Sequence, residues 1–489
     1  MIRCKLHGKG NSSAVLGWRK ASLFFRPTVP CATKGLYDSS DGRPLQAGYL
    51  RVDGGLHDLY YEVHGHEDGA PAVVVHGGPG AGSYLNHTRF FDLNLYKVVL
   101  LDQRACGRST PRGRLVGNNT NALVSDLDAL RQHLSIDRWL LFGGSWGVAL
   151  SLAYALTHPH RVTAMILRGV CAMRQQEIDW MYGGGAGALK PWAWQRFLDH
   201  LDPEERKFPL MGYYRRLLSK DVCVRDAAAQ SWLEWEMSVG FASNSQLLDW
   251  DGGQWSYQTF PTPLTSRSPP RPARPSPASS PAPHKPILHE QANIHSTPRS
   301  VRGVSELKKQ TPWFTAGKPA HLPGEHMAAL LQEGLSFRGD PSMPSTTAQA
   351  MLECHYSVHG GFLRGRGASV APQDPQMNSA KAARAKNIPV AAASDGSLTL
   401  GGSGHELPLL ERVHNLSHIP AIAVQGQMDL VCPAITAFDL HNAWPELQLR
   451  FVPGAGHSMY DPAITHELVE ATALMYDVMR NARDNVNAR

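Results

Sequence analysis

The sequence predicts an α/β fold: a mostly parallel sheet flanked by helices, with a helical cap inserted into it. Three observations predict it. Short apolar runs of strand length recur at Ala70 to Val75, Tyr96 to Leu101, Trp139 to Phe142, Ala164 to Arg168, Ala421 to Gln425 and Leu447 to Val452, with helical spacing such as Leu123, Leu127, Leu130 and Leu134 between them. Strands alternating with helices at this spacing build a parallel sheet covered on both faces. Trp139 to Thr157, WLLFGGSWGVALSLAYALT, passes from an apolar run through small residues into a helical pattern. From Gln175 to about Asp251 the pattern is helical, without strand alternation, and is marked by Trp180, Trp192, Trp194, Trp232, Trp235 and Trp250. That stretch reads as a cap between two strands of the core.

Composition narrows the function. The 489 residues carry a net charge of +6, and the surplus forms no Lys/Arg stripe interleaved with aromatics, so nucleic acid is not the expected partner. The seven cysteines are scattered without a C-x-x-C pair, which fits a reducing compartment. No apolar run approaches the roughly 18 residues of a membrane span, so no membrane association is expected. Residues 1–37 contain no Asp or Glu but carry Arg3, Lys5, Lys9, Arg19, Lys20, Arg26 and Lys34. Such a leader matches a chloroplast or mitochondrial transit peptide or a disordered terminus, and the expected location is an organelle or the cytoplasm accordingly.

The domains follow in order. A first core segment, residues 46–173, opens with two alternating runs around Asp53-Gly54-Gly55, a hairpin signal. The Ala70 to Val75 strand runs into His76-Gly77-Gly78-Pro79-Gly80, a loop of small residues that lacks the G-K-[ST] ending of a P-loop. The cap, residues 174–363, is interrupted at about 252–345, where residues 261–286 are proline-rich and basic and bury too little apolar surface to fold. Residues 287–345 read as mostly irregular, and 364–408 as a loop insertion. A second core segment, 409–482, ends in a helix from about Pro462 to Arg480.

The chemistry concentrates at Gly143-Gly144-Ser145-Trp146-Gly147, a G-x-S-x-G motif in the strand-to-helix setting of a nucleophile elbow. A strand reversing into a helix within one or two residues strains the serine backbone, so its neighbours must lack bulk. Ser145, Asp429 and His457 occur in the order Ser, Asp, His, each after an expected strand, as in an α/β-hydrolase. Ser145 is the candidate nucleophile, His457 the general base and acid, and Asp429 the residue that holds the imidazole tautomer. The Trp146 backbone N–H at the helix N-terminus and that of Gly78 are the candidate oxyanion donors. His76 is read as structural, and Asp102 as a loop anchor paired with Arg104. His64-x-His66 and His158-x-His160 lack further ligands at metal spacing, so no metal site is expected.

These residues resemble the proline iminopeptidase (prolyl aminopeptidase) family of serine peptidases. The resemblance rests on HGGPG at 76–80, DQRACGRS at 102–109, GGSWG at 143–147, WLEWE at 232–236, LECHYSVHGGF at 352–362, QGQMDLVCP at 425–433 and AGHS at 455–458. It implies an α/β-hydrolase with a mostly parallel eight-stranded sheet and a helical cap. It further implies release of N-terminal proline from small peptides through an acyl-enzyme, without cofactor, and it is compatible with a homo-oligomer. Cap glutamates that bind the substrate's α-amino group correspond to Glu236 and Glu353. Where the family has Gly, a small residue and Phe, this chain has Ala105, Val148 and Ser357. The alternatives are a general esterase or amidase using the same triad, and a non-catalytic α/β-hydrolase scaffold.

Overall fold

The computed structural model describes residues 34–38, 42–240, 246–250, 255–259, 324–340, 342–363 and 408–487. Residues 1–33 of the leader, the proline-rich segment 261–286 and nearly all of the 364–408 insertion lie outside them. The chain divides into two compact units, residues 1–242 with 321–489, and residues 243–320.

The first unit is built on an eight-stranded sheet with the order β1-β2-β4-β3-β5-β6-β9-β10. β1 (Gln46–Val52) and β2 (His57–Gly65) form the hairpin around Asp53–Gly55, and β2 runs antiparallel to β4 (Tyr96–Leu101). The remaining neighbours are parallel: β3 (Ala70–Val75), β5 (Trp139–Gly144), β6 (Val162–Arg168), β9 (Ala421–Gly426) and β10 (Gln448–Val452). In β3, β5, β6 and β9 the apolar runs are continuous because both faces are covered, whereas β10 at the edge carries Gln448 and Arg450. Val73, Val75, Leu141, Met165 and Leu167 bury against helices Thr120–His133 and Trp146–Thr157. The alternate residues Ala72, Val74, Leu140, Phe142, Ala164 and Ile166 bury with Phe90, Phe91 and the face of helix Pro462–Asn487 that carries Ile464, Leu468 and Met475.

The cap packs a core of its own from helices Gln175–Tyr182, Pro191–Asp199, Pro209–Leu217, Val222–Gly240 and Ser345–Val358. Its tryptophans serve mainly as packing. Phe197 stacks on Tyr213 with centroids 4.2 Å apart, Trp232 stacks on Tyr182 at 4.5 Å, and Trp235 lies 5.0 Å from Trp194. The cap is tied to the sheet by directed contacts: Trp180 Nε1 donates to the Leu430 carbonyl at 2.7 Å, and Tyr356 OH donates to Asn118 Oδ1 at 2.8 Å.

Two expectations about the cap need correction. The helical reading to Asp251 fails at its end, because Gln246–Trp250 and Trp255–Thr259 are strands β7 and β8, paired antiparallel with Trp250 opposite Trp255. Asp251-Gly252-Gly253 between them is a hairpin signal that the tryptophan count obscured. Residues 287–345 are not irregular throughout either. Helix Gly324–Ser336 lies there, with Leu330 and Leu331 packed on the cap core. Its apolar positions Met327, Leu330, Leu331 and Leu335 have helical spacing, a short signal inside a stretch that otherwise carries no pattern.

The elbow has the tightest backbone approach. A Cβ on Gly147 would lie 1.9 Å from the Val75 carbonyl oxygen, so helix Trp146–Thr157 reaches β3 only through a glycine. Gly147→Ala is expected to cost more than about 3 kcal/mol, since rigid backbone offers no room to relax. Urea unfolding of the variant against the wild type measures it.

Candidate active site

Ser145 has φ +57° and ψ −124°, a left-sided conformation that a non-glycine residue holds only under constraint. β5 supplies that constraint on one side and helix Trp146–Thr157 on the other, while the Ser145 N–H donates to the Arg168 carbonyl at 2.8 Å. The side chain is thereby held clear of the turn.

Asp429 and His457 meet directly. His457 Nδ1–H donates to Asp429 Oδ2 at 2.8 Å. The carboxylate is fixed in turn: Oδ1 accepts the Val431 N–H at 3.0 Å and the Cys432 N–H at 2.8 Å, and Oδ2 accepts Gln425 Nε2 at 3.3 Å. Asp429 is 3% exposed, so its charge is directed at the imidazole rather than at water. The other ring nitrogen, Nε2, accepts from Arg168 Nη1 at 3.1 Å. A guanidinium only donates, so Nε2 presents its lone pair and the ring proton sits on Nδ1, the tautomer a general base needs.

The structure does not pair Ser145 with His457 by a hydrogen bond among the described residues. The polar neighbour of Ser145 Oγ is Cys432 Sγ at 3.8 Å. Serine and imidazole are bridged through Arg168 instead, whose backbone holds Ser145 and whose side chain holds His457.

Above the serine runs the 76–80 loop. A Cβ on Gly77 would stand 3.2 Å from Ser145 Cβ and 3.0 Å from the Gly144 carbonyl, so the loop passes against the elbow. The Gly77 carbonyl accepts from His76 Nδ1 at 2.9 Å and from the Ala81 N–H at 3.3 Å. In a trans peptide the N–H lies opposite the carbonyl, so the Gly78 N–H faces away from those two donors. Neither it nor the Trp146 N–H meets an acceptor among the described residues. His76 is structural as expected: Nε2 accepts the Gln103 N–H at 3.0 Å, and burial keeps the ring neutral by lowering its pKa.

Asp102 departs from expectation. It pairs with Arg108 rather than Arg104, accepting Arg108 Nε at 2.8 Å and the Ser83 N–H and hydroxyl at 2.7 Å each. Burial alone would raise its pKa, but these bonds outweigh that and hold it below the usual carboxylate range. Arg104 turns the other way, to Asp126 at 2.5 Å and Asp53 at 2.9 Å. Ala105 at φ +63° and Gly107 at φ +55° coil the loop so that Arg108, not Arg104, returns to Asp102.

The two cap glutamates form one cluster. Glu353 is 2% exposed; its Oε2 accepts Trp232 Nε1 at 2.9 Å and its Oε1 accepts Gln349 Nε2 at 2.8 Å. Glu236 accepts the Tyr182 hydroxyl and lies within hydrogen-bonding reach of Glu353. Burial, then repulsion from Glu236, pushes the Glu353 carboxyl well above its usual range, and burial also raises Glu236. Protonation of one of the two carboxyls is thereby favoured in the empty site. Helix Ser345–Val358 carries this cluster to the elbow: a Cβ on Gly80 would touch Leu352 Cδ1 at 3.0 Å, and the Tyr356 ring meets Trp146 edge-on at 4.7 Å.

The model of the alpha/beta hydrolase fold family matches residues 71–207. A probable proline iminopeptidase of Leptolyngbya boryana is 33% identical over 436 residues, 88% of this chain and 94% of that protein. The proline iminopeptidases of Arabidopsis thaliana and Xylella fastidiosa (strain 9a5c) are both 32% identical, over 89% and 88% of this chain and 81% and 96% of theirs. This chain belongs to the proline iminopeptidase family.

Several residues that shape this family member's site escaped the motif reading. Gln103 accepts Trp146 Nε1 at 3.1 Å and donates to the His76 carbonyl at 2.9 Å, joining the elbow to the 76–80 loop. Tyr182 and Gln349 hold the glutamates, and Gln349 had a readable signal, its i,i+4 spacing to Glu353. At the departure from the family, Ser357 is buried, and Phe362 packs on Tyr356 and His359 with centroids at 5.2 and 4.5 Å. Among the described residues, no three metal-binding side chains cluster and no helix is long and apolar enough to cross a membrane.

Proposed function

We propose that this chain is a serine exopeptidase that releases N-terminal proline from small peptides through an acyl-enzyme. Ser145 Oγ attacks the prolyl carbonyl carbon while His457 Nε2 takes its proton, and Asp429 stabilises the imidazolium. The developing oxyanion is received by the N–H groups of Trp146 and Gly78. The proton then passes to the leaving amine, and water, activated by the same imidazole, frees proline.

The observation that carries this reading is the pairing of buried Glu353 with half-buried Glu236, on a cap whose helix Ser345–Val358 also touches the oxyanion loop and Trp146. Two carboxyls buried together are costly unless a cation joins them. The charged imino terminus of a substrate is such a cation, and an internal proline has none, so cleavage is confined to the first residue. A general esterase would have no use for the pair.

The test is a prolyl arylamide against its N-acetyl derivative, which keeps the ring and the scissile bond but removes the charge. The free imino form is expected to be turned over with kcat/KM at least about 10²-fold higher, the value of one desolvated charge. Equal turnover of both forms would leave the esterase or amidase reading. We place the chain in an organelle if residues 1–37 are removed as a transit peptide, and in the cytoplasm if they are retained; sequencing the mature N-terminus decides.

A further inference from the structure

Arg168 ends β6, where a charge is out of place: Ala164, Met165, Ile166 and Leu167 before it are fully buried. Its backbone carbonyl holds the Ser145 N–H, and its Nη1 donates to His457 Nε2 at 3.1 Å and to the His457 carbonyl at 2.9 Å. Nη2 lies 2.6 Å from where a Cβ on Gly144 would stand. The position before the serine, which the G-x-S-x-G pattern leaves free, is thus taken up by the guanidinium.

The surroundings of this arginine differ from those of three other arginines of the core. Arg104, Arg108 and Arg131 each face a carboxylate at 2.5 to 2.9 Å. Arg168 makes no ion pair among the described residues, and its Nε is shut from solvent without a partner. The acid it senses, Asp429, stands behind the imidazole, and desolvation draws the guanidinium below its usual pKa. A cation left this poorly paired costs stability, and the group it touches is the proposed general base.

We propose that Arg168 is a positioning residue for the reaction, clamping the ring and the backbone of His457 together so that Nε2 stays unprotonated beside the elbow until the Ser145 hydroxyl replaces the guanidinium there. This rests on the triad reading above. In acylation the Oγ–H bond of Ser145 breaks and an Nε2–H bond forms on His457 while Oγ bonds the acyl carbon and the carbonyl π pair moves onto its oxygen; as that pair returns, the C–N bond breaks and the amine leaves with the Nε2 proton. Arg168 exchanges no proton. It releases Nε2, which has become a donor, and keeps the His457 carbonyl, so the loop holds its place while the ring changes charge.

The test compares wild type, Arg168→Ala and Arg168→Lys in two assays, Ser145 labelling by a fluorophosphonate probe and prolyl arylamide turnover. In folded Arg168→Ala, kcat and the labelling rate are expected to fall about 10- to 100-fold with KM within about threefold, the scale of a misplaced catalytic group. Millimolar ethylguanidinium is expected to restore most of the loss. A wild-type labelling rate in Arg168→Ala, or a loss that ethylguanidinium leaves untouched, overturns the proposal. If Arg168→Ala does not fold, Arg168→Lys, which keeps the charge but loses the planar guanidinium fork, is expected to lower kcat with KM unchanged; wild-type kcat or a raised KM alone overturns it. Labelling needs no prolyl group, so a wild type that labels but spares the arylamide sinks the substrate reading and leaves the Arg168 comparison standing. A wild type that does not label sinks both.

Discussion

Ser145→Ala is expected to lower kcat for a prolyl arylamide by about 10⁴- to 10⁶-fold with little change in KM. The substitution removes one oxygen from a backbone that β5, helix Trp146–Thr157 and the Arg168 carbonyl already hold, so the fold and the cap glutamates remain. What is left is substrate bound against oxyanion donors with nothing to acylate, which accounts for activity above the uncatalysed rate. Because the members of a catalytic triad act as a unit, adding His457→Ala should cost little more if the proposed triad operates, and that non-additivity separates a chemical role from general damage. The nearest other nucleophile is Cys432, 3.8 Å from Ser145 Oγ. Its contact with Cys171, then burial, pushes the thiol well above its usual pKa, so it is a neutral thiol and a poor substitute. Retention of more than about 1% activity in Ser145→Ala would transfer the chemistry to that thiol, and Ser145→Ala with Cys432→Ala would show it.

The parts of this molecule that sequence discloses are those set by local periodicity and turn chemistry. β3, β4, β5 and β9 are continuous apolar runs because both faces are covered, and the elbow shows itself because a reversal so sharp needs glycine on both sides. Asp429 and His457 follow from strand order, since strand ends are where a parallel sheet presents its loops. Arg168 did not emerge, because its significance lies in a contact with a residue 289 positions away and no pattern announces it. The pairing of Asp102 failed for a related reason: two residues of a loop at i and i+2 look adjacent in sequence, while positive φ at Ala105 and Gly107 brings i+6 back instead. In the cap, tryptophan-rich sequence reads as helix until the turn residues are weighed, and β7 and β8 were hidden by that.

Glu353→Gln is expected to reduce kcat/KM for prolyl arylamides by about 10²- to 10³-fold, the loss that follows when a buried charge loses its partner, while turnover of a simple aryl acetate stays within about threefold. The amide keeps the shape and still receives Trp232 Nε1, so only charge is removed. In the empty site burial and the repulsion of Glu236 raise the Glu353 carboxyl well above its usual range, and the proton it retains competes with the cationic substrate. KM for prolyl substrates should therefore fall as pH rises through that titration, and Glu353→Gln should flatten the dependence. The sign for stability is opposite to that of an ordinary salt bridge. With both carboxyl pKa values raised, the folded state binds more protons than the unfolded one, so the pair's contribution declines as pH climbs above the unfolded carboxyl value of about 4.3. Glu353→Gln should accordingly have a higher Tm than the wild type, with an advantage at pH 8 that exceeds the one at pH 5. A variant that loses prolyl activity and gains stability marks a group kept for binding at the expense of the fold; one that loses both would make Glu353 a structural residue and remove the imino anchor from the mechanism.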